Sequence, residues 1–556
     1  MNTIKAIPLS RIAVALCTVW ILSAGVARAQ APSHLWSQRF GDVSFQNGYS
    51  VATDPAGNVY IGGTFQGSVN FGGSTLTSLG SNDIFLAKFS PTGAHVWSKR
   101  FGDSTIQIGQ AVATDPSGNV YLAGIFFGDV NFGGGTLSST AGGQDVFLVK
   151  FDASGAHQWS KQFGDAEAQS AADVATDASG NVFLSGFGLG IMDFGGGGLD
   201  LGDDIYLAKF NAAGAHQWSQ KFGDKYNQTC TSMAIDAAGS VYITGQNQGS
   251  VNFGGSTLVV QGEADAYIAK FDGAGVHQWS KAFGDSGIEI GEGVATDPSG
   301  NVYLTGEFGQ TINLGGSTLV SAGSDDIYLA KFNTAGVHQW SKGFGDFNVQ
   351  SGRDVAATSS GVYLLGDFRG SVNFGGGNLT SSGGQDIYLA KFSPSGVYHG
   401  SQRYGDSDDQ YPKSIATDAA GNALITGYYA GSVNFGGSTL TYLGGVDVFL
   451  AKFGPAATAV GDLPRAALTI SASPNPFNPS TVVRYVLPER GHASVRIFDA
   501  RGERVATLVD GEQSAGEHTL TWDGKVANGN RASSGVYFAR LLSGRDTKTL
   551  RLVLVK

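Results

Sequence analysis

Residues 101–165 read FGDSTIQIGQAVATDPSGNVYLAGIFFGDVNFGGGTLSSTAGGQDVFLVKFDASGAHQWSKQFGD, and this stretch is one unit of a repeat. Its closing triplet recurs at Phe40-Gly41-Asp42, Phe101, Phe163, Phe222, Phe283, Phe344 and, as Tyr404-Gly405-Asp406, a seventh time. A near-constant interval of about sixty residues belongs to radial or solenoid repeats and not to one irregular domain. Within the unit, Val112-Ala-Thr114 reads as a first strand and Asp115-Pro-Ser-Gly-Asn119 as a tight turn, with Asp accepting backbone N–H groups and Pro presetting φ. Val120 to Gly124 follows as a second strand, Asp145 to Phe151 as a third and His157 to Phe163 as a fourth. Four strands per unit of this size make a propeller blade.

The phase of the repeat predicts closure. First strands begin at Val51, Val112, Val174, Met233, Val294, Val355 and Ile415, and third strands at Asp83, Asp145, Asp204, Asp265, Asp326, Asp386 and Asp447. Fourth strands begin at His34, His95, His157, His216, His277, His338 and Tyr398, so the last unit lacks one and the N-terminal region supplies one. Joining His34–Phe40 to the edge left by Asp447–Phe453 gives a seven-bladed β-propeller closed by an N-terminal strand, with no open edge to aggregate. An alanine column, Ala52 to Ala416, suits the crowded axis, and a tryptophan column, Trp36 to Trp340, suits the wide rim. Gly400 breaks the tryptophan column and predicts the loosest packing in the sixth unit. Val355-Ala-Ala-Thr-Ser-Ser-Gly-Val362 lacks the turn Asp, which puts that hairpin in question.

The VATDPSGNVYLTG and DIYLAKF patterns, followed by the G…WSK pattern, resemble the bacterial SBBP beta-propeller repeats over roughly residues 34 to 453. That resemblance implies a fold and says little of activity, because propellers host many functions.

The rest of the chain divides around this body. Lys5 and Arg11, an apolar run from Ile12 to Val26 and Ala27-Arg28-Ala29 read as a signal peptide over residues 1–29. No later stretch is apolar for the roughly 20 residues that a membrane crossing needs. Without the leader Cys230 stands alone, so no intramolecular disulfide is expected. Of the 35 basic residues three fall in the leader, leaving 32 against 46 acidic ones. An acidic body makes nucleic acid an improbable partner. The propeller is assigned residues 30–453, a linker 454–465, and an Ig-like β-sandwich of about seven short strands 466–556. Ser473-Pro-Asn-Pro-Phe-Asn-Pro-Ser-Thr481, Ser533-Ser-Gly-Val-Tyr-Phe538 and the terminal Leu-Val-Leu-Val-Lys556 resemble the C-terminal sorting domains of type IX secretion cargo and the related Ig-like domain of flagellar hook-capping proteins. The first resemblance implies export across an outer membrane, contact with the secretion machinery and attachment at the cell surface; a plain Ig-like stalk is the simpler reading.

No catalytic constellation, cofactor motif or metal cluster stands out. One His per fourth strand is too widely spaced for a common metal ion, and the Asp and Lys at either end of DIYLAK read as capping and pairing groups. A column four residues after FGD, Gln46, Gln107, Gln169, Gln228, Glu289, Gln350 and Gln410, lies on the face that carries the longer connections. This amide ring would either hydrogen-bond a carbohydrate or protein ligand or satisfy loop backbone. Phe45, Tyr226, Asn227, Phe347, Asn348, Asp408, Asp409 and Tyr411 vary around it. The expected function is a secreted binding or adhesion scaffold and not an enzyme. The alternatives are a polysaccharide-acting enzyme using acids such as Glu289, Asp408 and Asp409, and a purely structural envelope protein.

Overall fold

A computed structural model describes residues 31–140, 142–455, 469–487, 491–514, 516–543 and 546–556. The leader, and the linker from residue 456 on, lie outside these. The described residues fall into two compact units, one over 31–455 and one over 469–556. No helix among them is long and apolar enough to cross a membrane.

The first unit contains seven four-stranded antiparallel sheets. Sheet 1 runs Gln46–Thr53, Val59–Phe65, Asp83–Phe89, His95–Phe101, and sheets 2 to 6 repeat that order beginning at Gln107, Gln169, Gln228, Glu289 and Gln350. Sheet 7 takes Gln410–Thr417, Ala423–Tyr429 and Asp447–Gly454 from the end of the unit and Ser33–Phe40 from its beginning. Phe40 pairs with Val448 and Gln38 with Leu450, and Arg39 meets Asp447 at 2.6 Å. The predicted closure is therefore built. The central strands Val59–Phe65 and Asp83–Phe89 are buried at every position, as strands covered on both faces must be.

Neighbouring sheets interlock at three radii. Near the axis, Thr114 Oγ1 donates to Thr53 O at 2.7 Å, Thr176 to Thr114 O at 2.8 Å, and Thr53 to Thr417 O at 3.0 Å across the closure. Between sheets 1 and 2 the core joins Ile84 and Leu86 to Leu122 and Phe147, and between sheets 7 and 1 it joins Leu424 and Leu450 to Val51 and Ile61. At the rim, Trp97 Nε1 donates to Ala153 O at 3.3 Å in the next sheet, where Lys88 Nζ also donates at 2.8 Å. The tryptophans are half-buried, lying on the neighbouring turn and not enclosed as a wide rim would allow.

Two local readings change. The Val-Asn-Phe-Gly-Gly connections fold as small hairpins, such as Ser68–Val69 with Leu76–Thr77, and bury Val69 and Phe71 against Phe40 and Phe89. The questioned hairpin of sheet 6 forms, with Val355 opposite Leu364 and Thr358 opposite Gly361.

The second unit contains a three-stranded sheet (Thr469–Ser473, Thr481–Leu487, Gly516–Trp522) and a four-stranded one (Arg504–Gln513, Gly491–Phe498, Gly535–Ser543, Asp546–Leu554). Trp522, Tyr537, Phe477 and Leu552 form its core.

Candidate binding site in the propeller channel

The glutamine column does not face solvent. All seven side chains are at most 1% exposed. Gln107 shows why: its Nε2 donates to Asp103 Oδ1 at 2.7 Å and to Phe127 O at 3.0 Å, while Oε1 accepts the Asp103 amide at 3.1 Å. The amide ties the FGD loop to the end of the second strand, so its polar groups are occupied by backbone and loop. Glu289 sits equally deep, which removes it as a surface acid for polysaccharide chemistry. Asp409 is likewise engaged, accepting from the Gln385 amide at 2.8 Å and from Tyr411 at 3.2 Å. Phe45, Tyr226 and Phe347 are exposed, and Asn227 donates to Asp203 at 2.8 Å. Asn348 donates to Asp346, and Asp408 is exposed.

The histidines pack rather than converge. His95 Nε2 meets Ser98 Oγ at 3.1 Å and the ring lies edge-on to Phe89, and five sister histidines repeat the arrangement.

A different column builds a cavity. Every inner strand carries a β-bulge after its third residue, between Gly48 and Ser50 in sheet 1 and at the same place in the other six. A bulge re-aims a side chain. The extra residues are Tyr49, Gln110, Ala172, Thr231, Glu292, Arg353 and Lys413, and all seven line one cavity of about 150 Å³. Since every sheet contributes, this cavity lies on the axis. The positions on either side stay small, with Gly, Ala, Cys or Pro before the bulge and Ser, Ala, Gly or Asp after it, while this one holds an aromatic, two uncharged polar groups, a methyl, an acid and two bases.

The charged members sit together on sheets 5, 6 and 7. Arg353 Nε donates to Asp367 Oδ1 at 2.7 Å and a terminal nitrogen reaches Glu292 Oε1 at 3.5 Å. Asp367 also accepts from Gln385 at 2.9 Å, and Glu307 accepts from Ser351 at 2.5 Å. Lys413 Nζ lies 5.6 Å from the centre of the Tyr428 ring, itself packed on Tyr411 at 5.2 Å. Burial pushes the Glu292 carboxyl up to about 7 against the pull of Arg353. Burial and the like charge of Arg353 hold Lys413 below its usual value. The cavity lining offers Glu292, Arg353, Lys413 and the Tyr49 phenol to a small polar ligand or to a side chain inserted along the axis. No chemical motif marks it in the sequence; the usable signal is a position of changing chemistry between small residues, as in Gly291-Glu292-Gly293.

Known proteins resemble parts of this chain. Residues 479–543 match the FlgD Ig-like domain, and residues 96–124 and 278–307 match the SBBP beta-propeller repeat. The uncharacterized WD repeat-containing protein L264 of Acanthamoeba polyphaga mimivirus is 24% identical over 225 residues, covering 33% of this chain and 16% of that protein. The regulatory protein FlaEY of Caulobacter vibrioides is 24% identical over 385 residues, covering 63% of this chain and 39% of that protein. The matched regions thus span well under two thirds of these curated relatives. Among solved structures, Sqt1 from Chaetomium thermophilum aligns with 77% of this chain and 100% of its own at 9% identity, with a TM-score of 0.38.

Proposed function

We propose that the protein is a secreted scaffold, attached at the outer cell surface, that binds a carbohydrate or an envelope protein through the channel and the face onto which its long connections open. It performs no catalysis and takes no cofactor. One observation carries this reading: the seven residues that bulges turn into the axial cavity change in chemistry from sheet to sheet between small neighbours, with Glu292, Arg353 and Lys413 on consecutive sheets. A purely structural ring would have no use for such variation. Exposed Phe45, Tyr226 and Phe347 add apolar contacts on the connecting loops.

Export and attachment rest on the leader and on the C-terminal unit, which we read as a sorting domain engaging the secretion machinery. The chain from Gln30 onward is to be screened against glycans and envelope proteins of its own cell. Lys413→Ala should abolish capture with the melting temperature within a few degrees, and Arg353→Ala should abolish capture by the folded fraction while destabilising the fold, because it leaves Asp367 buried without its cation. Capture unaffected by both changes would remove the channel from the proposal, and turnover of a polysaccharide would replace it with the enzyme reading. Deleting residues 466–556 should leave the product off the surface; unchanged display would refute the sorting role.

A further inference from the structure

The fifth junction of the ring is chemically unlike its sisters. In six junctions a buried glutamine Nε2 donates to the loop aspartate Oδ1, at 2.7–3.0 Å. In five of them it also donates to a carbonyl at the end of the second strand, at 2.9–3.2 Å. Sheet 5 has Glu289 there, fully buried. One carboxyl oxygen, Oε2, accepts the Asp285 amide at 3.3 Å, as the amide oxygen does elsewhere. The other, Oε1, stands where the sisters have an NH₂ group and has no hydrogen-bond partner among the described residues. An ionised carboxylate would there set oxygen against oxygen with no hydrogen between them.

Among the described residues, the charges acting on Glu289 are those of acids. Asp285 is held as an acceptor by the Gly287 amide at 3.0 Å and by the Thr311 hydroxyl. Behind Glu289 lies buried Asp265, and a Cβ placed on Gly284 would lie 2.4 Å from Asp265 Oδ1 and 2.5 Å from Glu289 Oε2. Sister aspartates at this place meet Arg39, Arg100, Lys221 or Arg403, or the Gln162 amide. The corresponding residue beside Asp265 is Ala282. Asp325, on the connection into the third strand, adds another negative charge. A metal ion does not suit the gap, since calcium needs about 2.3–2.6 Å to each oxygen and the sister spacing is that of one hydrogen bond.

We infer that Glu289 is held as a carboxylic acid whose proton stands in for the amide hydrogen of its sisters, so that the junction between sheets 4 and 5 loosens when that proton is lost. Burial pushes this carboxyl up to about 8, and the charges of Asp285, Asp265 and Asp325 push the same way. The value in the fold lies above the ordinary 4.5, so the stabilisation is complete below 4.5 and is lost as pH rises through about 8. Opening would fall on the loop face, three residues before Glu292 of the channel wall.

The test compares the full chain with Glu289→Gln in thermal unfolding from pH 4.5 to 9. The two should melt together at pH 4.5, with the variant gaining a lead that widens to pH 8 and then levels at a few degrees. Amide exchange across 285–289 and 309–311, corrected for its intrinsic pH dependence, should rise with pH in the parent alone. Gln350→Glu is the converse variant, because Gly343 leaves the sixth junction equally without a cation; it should acquire the same alkaline sensitivity. Parallel pH profiles for parent and Glu289→Gln would overturn the inference. So would an alkaline loss in the parent that calcium reverses and a chelator restores, which would make the gap a cation site.

Discussion

Asp173 caps two backbone amides because Ala111, one sheet earlier, caps none. Around the channel the residue after each bulge reaches to the next sheet: Ser50 Oγ accepts the Val112 amide at 3.0 Å and Ser232 Oγ that of Val294 at 3.3 Å. Ser414 does the same for Val51 across the closure, at 3.4 Å. Ala111 and Gly293 have no group to offer. In the sheet that follows each of them the residue is Asp, whose two oxygens serve both its own following amide and the next sheet. Asp173 accepts from Val174 and Met233, each at 2.8 Å, and Asp354 from Val355 at 2.7 Å and Ile415 at 2.8 Å. Both aspartates line the cavity, yet their carboxylates are taken by the frame.

This compensation makes a rescue experiment possible. Asp173→Ser keeps the cap on Met233 and strips the one on Val174, which should cost about 1–3 kcal/mol for an unsatisfied buried donor. Adding Ala111→Ser restores the arrangement seen between Ser50 and Val112, and the pair should recover most of the loss in denaturant unfolding. Additive losses in the double variant would show that the two positions are not coupled. Burial pushes the Asp173 carboxyl up to about 7 against the two amides it accepts. Its stabilising share therefore declines as pH rises from the ordinary 3.8 through about 7, and Asp173→Ser should flatten the stability curve there.

Gln107→Ala tests the clamp reading of the glutamine ring. The change deletes donors to Asp103, Thr105 and Phe127 and strands the Asp103 amide. We expect a loss of about 2–4 kcal/mol from these coupled bonds, with ligand capture by the folded fraction unchanged. A loss under about 1 kcal/mol would mean that water replaces the amide without penalty.

The ring was legible from phase alone, because a missing last strand and a spare first one have a single economical solution. His34–Phe40 against Asp447–Phe453 required only counting. The glutamine column was equally visible, but its depth was not, since a polar residue beside a loop reads the same whether it faces water or buried carbonyls. The channel wall was hidden for a geometric reason. A bulge shifts which face a residue occupies, and nothing in Gly291-Glu292-Gly293 announces one. Gly400 breaks the tryptophan column, and the structure explains it. Trp340 donates to Pro394 O, in the third-to-fourth turn of sheet 6. The matching turn in sheet 7 is absent as a covalent link, because that sheet takes its fourth strand from the other end of the chain.

The tryptophan lock predicts an effect at a glycine in the turn beneath it. Gly214 has φ of +79°, and a Cβ there would come within 2.9 Å of the Trp159 ring. Gly214→Ala should therefore cost about 1–2 kcal/mol for the left-handed conformation and shift Trp159 emission as the indole is lifted. An unchanged spectrum together with unchanged stability would place the indole elsewhere in solution.

Lys391 and Lys331 occupy the same position in successive sheets and should respond oppositely to removal of their charge. Lys331 Nζ meets Asp297 at 3.6 Å and donates to Pro394 O at 3.0 Å. Lys391 follows a hairpin that has lost the turn Asp, and it donates to the Tyr363 hydroxyl at 3.1 Å, with the ring centre 4.6 Å away. Burial lowers the Lys391 amine to about 8 from the ordinary 10.5, so the fold favours its neutral form. That contribution is present above 10.5 and lost as pH falls through about 8, which leaves the protein at pH 7 carrying a buried ammonium without a carboxylate. Lys391→Met should be neutral or stabilising at pH 7, and its advantage should shrink towards pH 10. Lys331→Met leaves Asp297 buried without its cation, and should destabilise by about 3–5 kcal/mol if the pair behaves as a buried one. Equal losses for the two variants would show that Lys391 has an acidic partner in solution and that the sixth sheet is locked like the rest.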